Sequence, residues 1–217
     1  MDYAAARYKM VQNQIRTNRV TDPLIIAAMS ELPREQFVPG PLRGIAYVDE
    51  DVPLHGSRYL IKPLVTALLL QAAEIDADDT ALEVGCGTGY SSAIIAGLAS
   101  TVVALESDPD LAARAAGTLA ELGLNTASVV VGPLREGWPA QAPYDVIVFG
   151  GAVSSIPAAT IEQLAEGGRM VAIIAADKGI GCGTLFLRLG GTVSRRPLFD
   201  ASIPLLPDFA PEPTFRF

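Results

Sequence analysis

The sequence predicts an α/β fold: a doubly wound, mostly parallel sheet with an antiparallel C-terminal edge and an N-terminal helical extension. From about residue 76 onward, short apolar runs alternate with helical patterns, which is the order expected of parallel α/β folds. The run at residues 146–149 is apolar without alternation, as in strands covered on both faces. Near the C-terminus, two predicted strands, residues 184–189 and 192–198, flank Gly190-Gly191, a pair typical of a two-residue hairpin and hence of antiparallel strands.

These patterns divide the chain at about residue 75. Residues 1–75 are predicted to form the helical extension together with an active-site loop, and residues 76–217 to form the sheet domain. A length of 217 residues is enough for one domain and a modest extension, so we expect one compact unit. Half of the residues are hydrophobic, which is sufficient for a substantial core.

Three helices are predicted in the extension. The first presents one apolar face, formed by Met10, Val11 and Ile15. The second begins at Asp22-Pro23, where aspartate serves as the N-cap and proline takes the first helical position. The third, residues 64–73, follows Pro63 and is apolar nearly all round, which indicates a buried helix. Residues 35–54 are predicted to be loop with short pieces of structure.

In the sheet domain, predicted strands and helices alternate. The strands are residues 81–84, 101–106, 128–131, 144–149, 169–175, 184–189 and 192–198. The helices are residues 90–98, 109–122 and 157–164. Asp108-Pro109 supplies an N-cap and a first-turn proline to the second of these helices, and Gly123 is typical of its end. Gly167-Gly168 predicts a turn before the fifth strand.

The centre of this domain is a glycine turn. Gly85, Gly87 and Gly89 form Gly-x-Gly-x-Gly between a predicted strand and a predicted helix. Glycines let the backbone approach a ligand closely, and the start of a helix offers free N–H donors, so this arrangement predicts a nucleotide pocket. Glu106 ends the next strand about twenty residues after the first glycine, the spacing of a carboxylate that binds a ribose diol.

The class of nucleotide follows from an acid before the turn. Dinucleotide enzymes use Gly-x-Gly-x-x-Gly, whose loop packs against a pyrophosphate, whereas the third glycine here falls one residue early. Glu83 stands two residues before the first glycine. A carboxylate there would repel a pyrophosphate and attract an ammonium or sulfonium group. The sequence therefore favours S-adenosylmethionine over NAD and predicts that Glu83 binds the donor's ammonium, directly or through water.

Charge and composition argue against several classes of function. The formal net charge is −8 and no Lys/Arg cluster is present, which argues against nucleic-acid binding. The N-terminus lacks a signal-peptide pattern, and no apolar run approaches the ~20 residues of a membrane helix, so a cytoplasmic protein with no membrane partner is expected. Cys86 and Cys182 are expected to be reduced thiols. No metal site is predicted. Because His55 is the single histidine, any mechanism that needs a histidine pair is excluded.

Four longer motifs resemble those of a known family. They are Leu32-Pro-Arg-Glu-Gln-Phe-Val-Pro39, Leu82-Glu-Val-Gly-Cys-Gly-Thr-Gly-Tyr90, Gly137-Trp138 and Ala142-Pro-Tyr-Asp145. In this order they are similar to the protein-L-isoaspartate (D-aspartate) O-methyltransferases, within the Rossmann-like class I S-adenosylmethionine-dependent methyltransferases. The resemblance implies methylation of a carboxylate of damaged aspartyl residues, which is a protein-repair activity, with a protein or peptide carboxylate as the substrate.

Two segments depart from the family's pattern. The family's active loop is typically Gly-Gln-Thr-Ile-Ser-Gln-Pro, whereas this chain has Gly56-Ser-Arg-Tyr-Leu-Ile-Lys-Pro63, which carries one inserted residue and places Ile61 at the serine. The family's Gly-Asp-Gly after the third strand is here Gly132-Pro133-Leu134. The alternatives are therefore a methyltransferase of the same fold with another acceptor, or a module that binds the donor without turnover.

The implied chemistry makes few demands on catalytic side chains. A carboxylate whose pKa is about 4 is already ionised at neutral pH and needs no general base. The protein mainly has to align oxygen, methyl and sulfur and to exclude water. No residue is therefore assigned to catalysis outright, and the candidates in the active loop are Ser57, Tyr59, His55 and Lys62. Lys62 and Arg58 are also predicted to attract the substrate carboxylate.

The predicted donor site draws on three segments. Its residues are Glu83, Gly85, Cys86, Gly87, Thr88, Gly89, Glu106, Ser107, Gly132 and Leu134. Glu106 is expected to accept hydrogen bonds from both ribose hydroxyls, with Ser107 beside it at the adenine edge. Cys86 is expected to be a small residue that fills the turn, because nothing nearby in the sequence would lower the pKa of its thiol.

Overall fold

The computed structural model of the chain describes residues 1–176 and 179–209. A seven-stranded sheet in the order β5-β4-β3-β6-β7-β8-β9 forms its centre. These strands are β3 (Thr80–Val84), β4 (Thr101–Glu106), β5 (Ala127–Val131), β6 (Tyr144–Val153), β7 (Leu164–Ile174), β8 (Cys182–Leu189) and β9 (Thr192–Asp200). The predicted strands are thus all present, and β6 and β7 are longer than the sequence indicated.

The sheet is doubly wound. Strands β3 to β7 pair in parallel, and β8 and β9 add antiparallel strands at the C-terminal edge, which confirms the predicted fold class. The chain goes outward from β3 to β4 and β5, and then returns to the other side of β3 as β6. Ligands of open α/β sheets bind where the strand order reverses in this way, at the carboxyl ends of the strands. The crevice between β3, β4 and β6 is therefore the place to look for a site.

In the part of the chain that the structure describes, six α-helices surround the sheet. They are α1 (Tyr3–Met10), α2 (Pro23–Glu31), α3 (Pro63–Ala73), α4 (Tyr90–Ala96), α5 (Pro109–Glu121) and α6 (Ala158–Glu162). A π-helical segment, Val11–Ile15, continues α1. Both predicted N-caps are present: the Asp22 carboxylate accepts hydrogen bonds from the N–H groups of the first turn of α2, and Asp108 does the same for α5.

Alternate side chains of the strands face two hydrophobic clusters. Val146 and Val148 of β6 pack with the first four helices. Ile147 and Phe149 pack on the opposite face with the C-terminal segment, residues 201–209, through Leu206 and Phe209. This arrangement explains the continuous apolar run in β6, because both faces of the strand are covered. α3 is buried over most of its surface, as predicted.

The N-terminal extension contacts the glycine turn directly. The Arg34 guanidinium is fully buried and lies 4.5 Å from the ring centroid of Tyr90, the first residue of α4. Phe37 meets the same ring edge-on, and its carbonyl accepts a hydrogen bond from the Thr88 hydroxyl at 2.5 Å. The division of the chain at residue 75 stays a prediction, and these contacts join the two parts across it.

Among the described residues, two short strands lie apart from the main sheet. β1 (Val52–Pro53) pairs antiparallel with β2 (Tyr59–Leu60), so residues 54–58 form a hairpin loop. The predicted turn at Gly167-Gly168 is instead part of β7, at a register irregularity where four residues of β7 have no partner in β6. The two glycines permit this bulge, since Gly167 has a φ of 79°.

Candidate functional site

The glycine turn lies at the carboxyl end of β3, in the crevice. The φ angles of Gly85, Gly87 and Gly89 are 80°, 58° and 90°, a region that other residues rarely adopt. The turn is held by the Leu105 carbonyl, which accepts hydrogen bonds from the N–H of Gly85 at 2.8 Å and of Cys86 at 3.0 Å. These contacts fix the backbone of the turn, in which three of the five residues have no side chain.

Gly150 of β6 forms the other wall of the turn. A Cβ atom added at Gly150 would lie 2.2 Å from the Gly85 carbonyl oxygen, a distance that a side chain cannot adopt. The end of β6 therefore packs against the turn backbone to backbone, which explains Gly150. A Cβ atom added at the adjacent Gly151 would instead lie 2.8 Å from Leu206 Cδ2.

Glu106 ends β4 beside the turn and is fully buried. Its carboxylate accepts hydrogen bonds from the Gly87 N–H at 2.7 Å and from the Ser107 N–H at 2.9 Å. The sequence-based placement of an acid next to the glycines is therefore correct in position. Whether this carboxylate binds a ribose stays a prediction, because no ligand contact tests it.

Arg58 of the hairpin loop reaches the same carboxylate. Its Nη2 atom donates to Glu106 Oε2 at 2.8 Å and its Nε atom to Glu106 Oε1 at 3.3 Å. Nη2 also donates to the Gly85 carbonyl at 2.7 Å, and the side chain is only 5% exposed. Whether Arg58 attracts a substrate carboxylate stays a prediction. In this structure its guanidinium is bound by the carboxylate of Glu106.

The C-terminal segment closes the crevice from the side of β6. The Leu206 N–H donates to the Ala152 carbonyl at 2.9 Å, and a Cβ atom added at Gly85 would lie 2.7 Å from Leu206 Cδ2. Leu206 itself is fully buried. The glycine turn is thus covered by side chains of the chain itself, by Arg58 and Leu206 at Gly85 and by Leu54 at Gly87.

Glu83, the acid before the turn, points beneath α4. It is fully buried, and its two oxygens accept hydrogen bonds from the hydroxyls of Ser91 and Ser92. Burial raises the pKa of Glu83, and the two serine hydroxyls oppose that rise. The predicted contact with the donor's ammonium remains a prediction. In this structure both oxygens have partners on α4.

Four other predicted donor-site residues either have buried or engaged side chains or are glycine. Cys86 is buried and its thiol pKa lies well above its ordinary value because of that burial, which agrees with a filling role and not with a nucleophile. The Thr88 hydroxyl binds the N-terminal extension, as described above. Gly132 packs against Trp138, and the Leu134 side chain lies in the core.

The catalytic candidates of the active loop are spread over its outer face. Ser57 and His55 are exposed, and the His55 Nδ1 atom lies 2.8 Å from a carboxylate oxygen of Asp108. Tyr59 is half-buried in β2, and the Lys62 ammonium lies 3.9 Å from Asp51. None of the four side chains has a hydrogen bond to the glycine turn or to Glu106 among the described residues.

Ile61 lies where the resembling family has its serine. Its side chain is 6% exposed and belongs to the hydrophobic cluster that includes the first helices, and its carbonyl accepts a hydrogen bond from Arg34 at 2.7 Å. The position is therefore a packing position in this chain. Sequence reasoning identified the substitution but not its burial.

The chemistry of the site can be stated from these groups. The bare glycine turn and the buried carboxylate of Glu106 fit a ribose-bearing ligand, because they combine a close backbone approach with a strong acceptor. Residues 1–176 and 179–209 contain no group of three or more His, Cys, Asp or Glu side chains able to hold a metal ion. Within the same ranges, every helix is too short or too polar to span a membrane.

Several known proteins of similar sequence share one family name. A family model described as protein-L-isoaspartate(D-aspartate) O-methyltransferase matches residues 5–180. A protein-L-isoaspartate O-methyltransferase of Methanoculleus marisnigri is 42% identical over 166 residues, which are 76% of this chain and 76% of that protein. The Gloeobacter violaceus protein of the same name is 36% identical over 197 residues, 90% of this chain and 96% of that protein.

Solved structures agree with the sequence matches. A protein-L-isoaspartate O-methyltransferase structure superposes with a TM-score of 0.80 and 26% identity, covering 94% of this chain and 67% of the other. A Plasmodium falciparum protein described as a β-aspartate methyltransferase, in complex with S-adenosyl-L-homocysteine, gives a TM-score of 0.79 at 18% identity, covering 96% of this chain and 99% of that one. The second likeness concerns the fold alone.

Proposed function

The chain belongs to the protein-L-isoaspartate (D-aspartate) O-methyltransferase family, and from this membership we propose that it repairs proteins by methylating the carboxylate of isoaspartyl residues. It is an S-adenosylmethionine-dependent methyltransferase, as its relatives are. We also propose which residues of this chain hold the donor and which class of acceptor it methylates. A protein or peptide carboxylate is the proposed acceptor, and the predicted cytoplasmic location is part of the proposal.

Three segments are proposed to hold the donor. The glycine turn would lie against its methionine part, Glu106 would accept the ribose hydroxyls, and Ser107 would lie at the adenine edge. Support comes from the position of Glu106, whose carboxylate is held 2.7 Å from the Gly87 N–H at the point where the strand order reverses. This is the single observation that carries the assignment.

When bound, the donor supplies an electrophilic methyl group on a sulfonium. The protein has to orient the acceptor oxygen toward it and exclude water, because a carboxylate is ionised at neutral pH without help from a base. The absence of a polar catalytic side chain at the turn, among the described residues, is compatible with such chemistry. Leu206 and the end of β6 supply apolar and backbone surface for excluding water.

An acceptor assay tests the proposal. A peptide with one isoaspartyl residue and a peptide of the same sequence with normal aspartate would each be incubated with the protein and methyl-labelled donor. We expect base-labile label in the isoaspartyl peptide only, and loss of it in Glu106→Ala. Equal background label in both peptides would overturn the assignment of the acceptor.

A different acceptor within the same methyltransferase fold is the second candidate, because of Ile61. The family's hydroxyl is replaced there by a side chain that belongs to the hydrophobic core. If the isoaspartyl peptide is not labelled although S-adenosyl-L-homocysteine binds, a panel of small carboxylic acids and other peptides would be tried next. Binding without any transfer would favour the module that holds the donor without turnover.

A further inference from the structure

We propose that Arg58 is an internal competitor of the methyl donor, and that the donor binds only after the Arg58 guanidinium has left Glu106. The inference rests on the proposed function, which assigns Glu106 to the ribose. It goes further by giving a role in donor binding to a residue of the hairpin loop, the loop in which this chain has one residue more than the family's pattern. Four observations support it.

The first observation is the geometry of the ion pair. Arg58 binds both oxygens of Glu106, at 2.8 Å and 3.3 Å, and the two side chains are 5% and 0% exposed. A guanidinium that binds both carboxylate oxygens is among the stronger and more specific contacts in proteins. A ribose diol would use the same two oxygens, so the two partners are mutually exclusive.

The second observation is the number of hydrogen bonds that Glu106 already accepts. Its Oε2 atom accepts from Gly87 N–H and Arg58, and its Oε1 atom accepts from Ser107 N–H and Arg58, with the Asp108 N–H at 3.3 Å. A carboxylate oxygen offers about two lone-pair sites. Both oxygens are therefore filled. The departure of Arg58 frees a site on Oε2 and leaves Oε1 with the donors of Ser107 and Asp108.

The third observation is the space at the glycine turn. A Cβ atom added at Gly85 would lie 3.0 Å from Arg58 Nη2, and that atom also donates to the Gly85 carbonyl at 2.7 Å. The guanidinium thus lies against the face that the glycine leaves open. A donor that approaches this backbone would meet Arg58 there. Its ammonium group could donate to the Gly85 carbonyl only after Arg58 has released that carbonyl.

The fourth observation is how the loop is held. Within the hairpin, the Leu54 N–H donates to the Arg58 carbonyl and the Arg58 N–H to the His55 carbonyl, each at 2.9 Å. His55, Gly56 and Ser57 are exposed. Among the described residues, the loop tip contacts the segment after β4 through Arg58 and through His55 on Asp108, while Leu54 at the base of the loop packs toward Gly87. Few buried contacts oppose movement of the loop tip, so the ion pair with Glu106 is its main attachment.

The consequence is a lowered apparent affinity for the donor. When only a fraction of the molecules is in the open state, the apparent dissociation constant rises in inverse proportion to that fraction. An open fraction of about one in ten therefore weakens donor binding by about tenfold. Removing the guanidinium should therefore strengthen donor binding by about the same tenfold factor, even though it removes a buried contact from the free protein.

Calorimetric titration with S-adenosyl-L-homocysteine tests this without any methyl acceptor. We expect Arg58→Ala to bind it about tenfold more tightly than the unmodified chain, and Arg58→Lys to lie between the two. Arg43→Ala is the matched control, because Arg43 is an exposed arginine of the same extension, and it should leave the affinity unchanged. Arg58→Gln, which keeps a neutral donor, replaces Arg58→Ala if thermal denaturation shows that the alanine variant is unfolded.

The outcomes separate this inference from the proposed function. Tight binding that is weakened by Glu106→Ala but unchanged or weakened by Arg58→Ala would overturn the role of Arg58 and leave the donor site standing. Failure of S-adenosyl-L-homocysteine to bind the unmodified chain, Arg58→Ala and Arg58→Gln alike would overturn both. Tighter binding in the Arg58 variants with no isoaspartyl turnover would support the competitor and count only against the proposed acceptor.

Discussion

The glycine turn after β3 and the hairpin loop that lies across it are stabilised in different ways. The turn is fixed by backbone hydrogen bonds, such as those from Gly85 and Cys86 to the Leu105 carbonyl, and by the backbone of β6. The loop at residues 54–58 is attached by side chains, chiefly by Arg58 on Glu106. The turn is therefore expected to keep its shape when a ligand binds, and the loop to be the part that moves.

This difference separates two requirements of a donor site. A rigid turn supplies the close approach and the strong acceptor, and a loop held by one exchangeable ion pair can give way to the ligand. Ion pairs between buried groups are poor sources of net stability, since desolvation opposes the attraction. When the ribose hydroxyls take the place of the Arg58 guanidinium on Glu106, the loss of the ion pair therefore costs little net stability.

The largest expected effect comes from removing the acid that both regions share. Glu106→Ala leaves the buried Arg58 guanidinium without its partner, and breaking a buried pair in this way destabilises by about 3–5 kcal/mol. Urea denaturation would measure the loss in the free energy of unfolding, together with a loss of S-adenosyl-L-homocysteine binding.

The double variant sharpens that experiment. In Glu106→Ala/Arg58→Ala no charge is left unpaired, so the combined loss should be smaller than the sum of the two single losses. Additive losses would contradict the ion pair as the attachment of the loop.

The next largest effect is expected where the loop joins the core. Ile61→Ser removes buried apolar surface and places a hydroxyl among hydrophobic side chains, so we expect a loss of about 2–4 kcal/mol. Because the position faces the core and not the turn, no gain in methyl transfer to the isoaspartyl peptide is expected.

Ile61→Val is the matched control for this substitution. It should destabilise by about 0.5–1.5 kcal/mol, as for the loss of one methylene group. New isoaspartyl turnover in Ile61→Ser alone would show that a hydroxyl at this position reaches the methyl group after all.

A smaller effect is expected from filling the open face of the turn. Gly85→Ala places a Cβ atom at a φ of 80°, 2.7 Å from Leu206 Cδ2 and 3.0 Å from Arg58 Nη2. We expect about 1–3 kcal/mol of destabilisation from the backbone strain, and loss of donor binding by calorimetry. Gly117→Ala, at an exposed site of α5 with no neighbour within 4 Å, should instead stabilise by about 0.5–1 kcal/mol.

The smallest effect concerns the outer contact of the loop. The Asp108 carboxylate raises the pKa of His55, with a further contribution from Asp110, and His55 in turn lowers the pKa of Asp108. The stabilisation from charged His55 is therefore complete below its unfolded pKa of about 6.5 and is lost as pH rises through the higher folded value. Above that value the loop loses one of its attachments.

Donor affinity should accordingly increase from pH 6 to pH 8, by less than about fivefold, because contacts between exposed groups are weak. His55→Ala should bind S-adenosyl-L-homocysteine with nearly the same affinity at both pH values. Weaker binding of the unmodified chain at pH 8 than at pH 6 would contradict this role of His55.

Much of the rigid region could be predicted from the sequence. The glycine spacing, the caps at Asp22 and Asp108, and the acid at the end of β4 are local patterns with local structural consequences. The bulge in β7 was missed because Gly167-Gly168 also fits a turn, and only the pairing with β6 distinguishes the two.

The hairpin loop could not be predicted in the same way. An arginine among small polar residues usually remains exposed, and nothing in the order of residues 54–58 indicates a partner 48 positions away. The one available indication was the buried acid itself, because a carboxylate at the end of an interior strand needs hydrogen-bond donors. The serines that bind Glu83 follow the same rule, at the start of α4.

Trp138 is the only tryptophan of the chain, and it packs against Gly132, in the segment that follows β5. Its indole is partly exposed and stands at the side of the crevice proposed for the adenine. Tryptophan fluorescence of this protein therefore reports on one indole beside the proposed ligand site, without an added label. In a stopped-flow mixing experiment, the change in this fluorescence would follow donor binding. If its rate constant reaches a plateau as the donor concentration rises, the plateau value is the rate of loop opening.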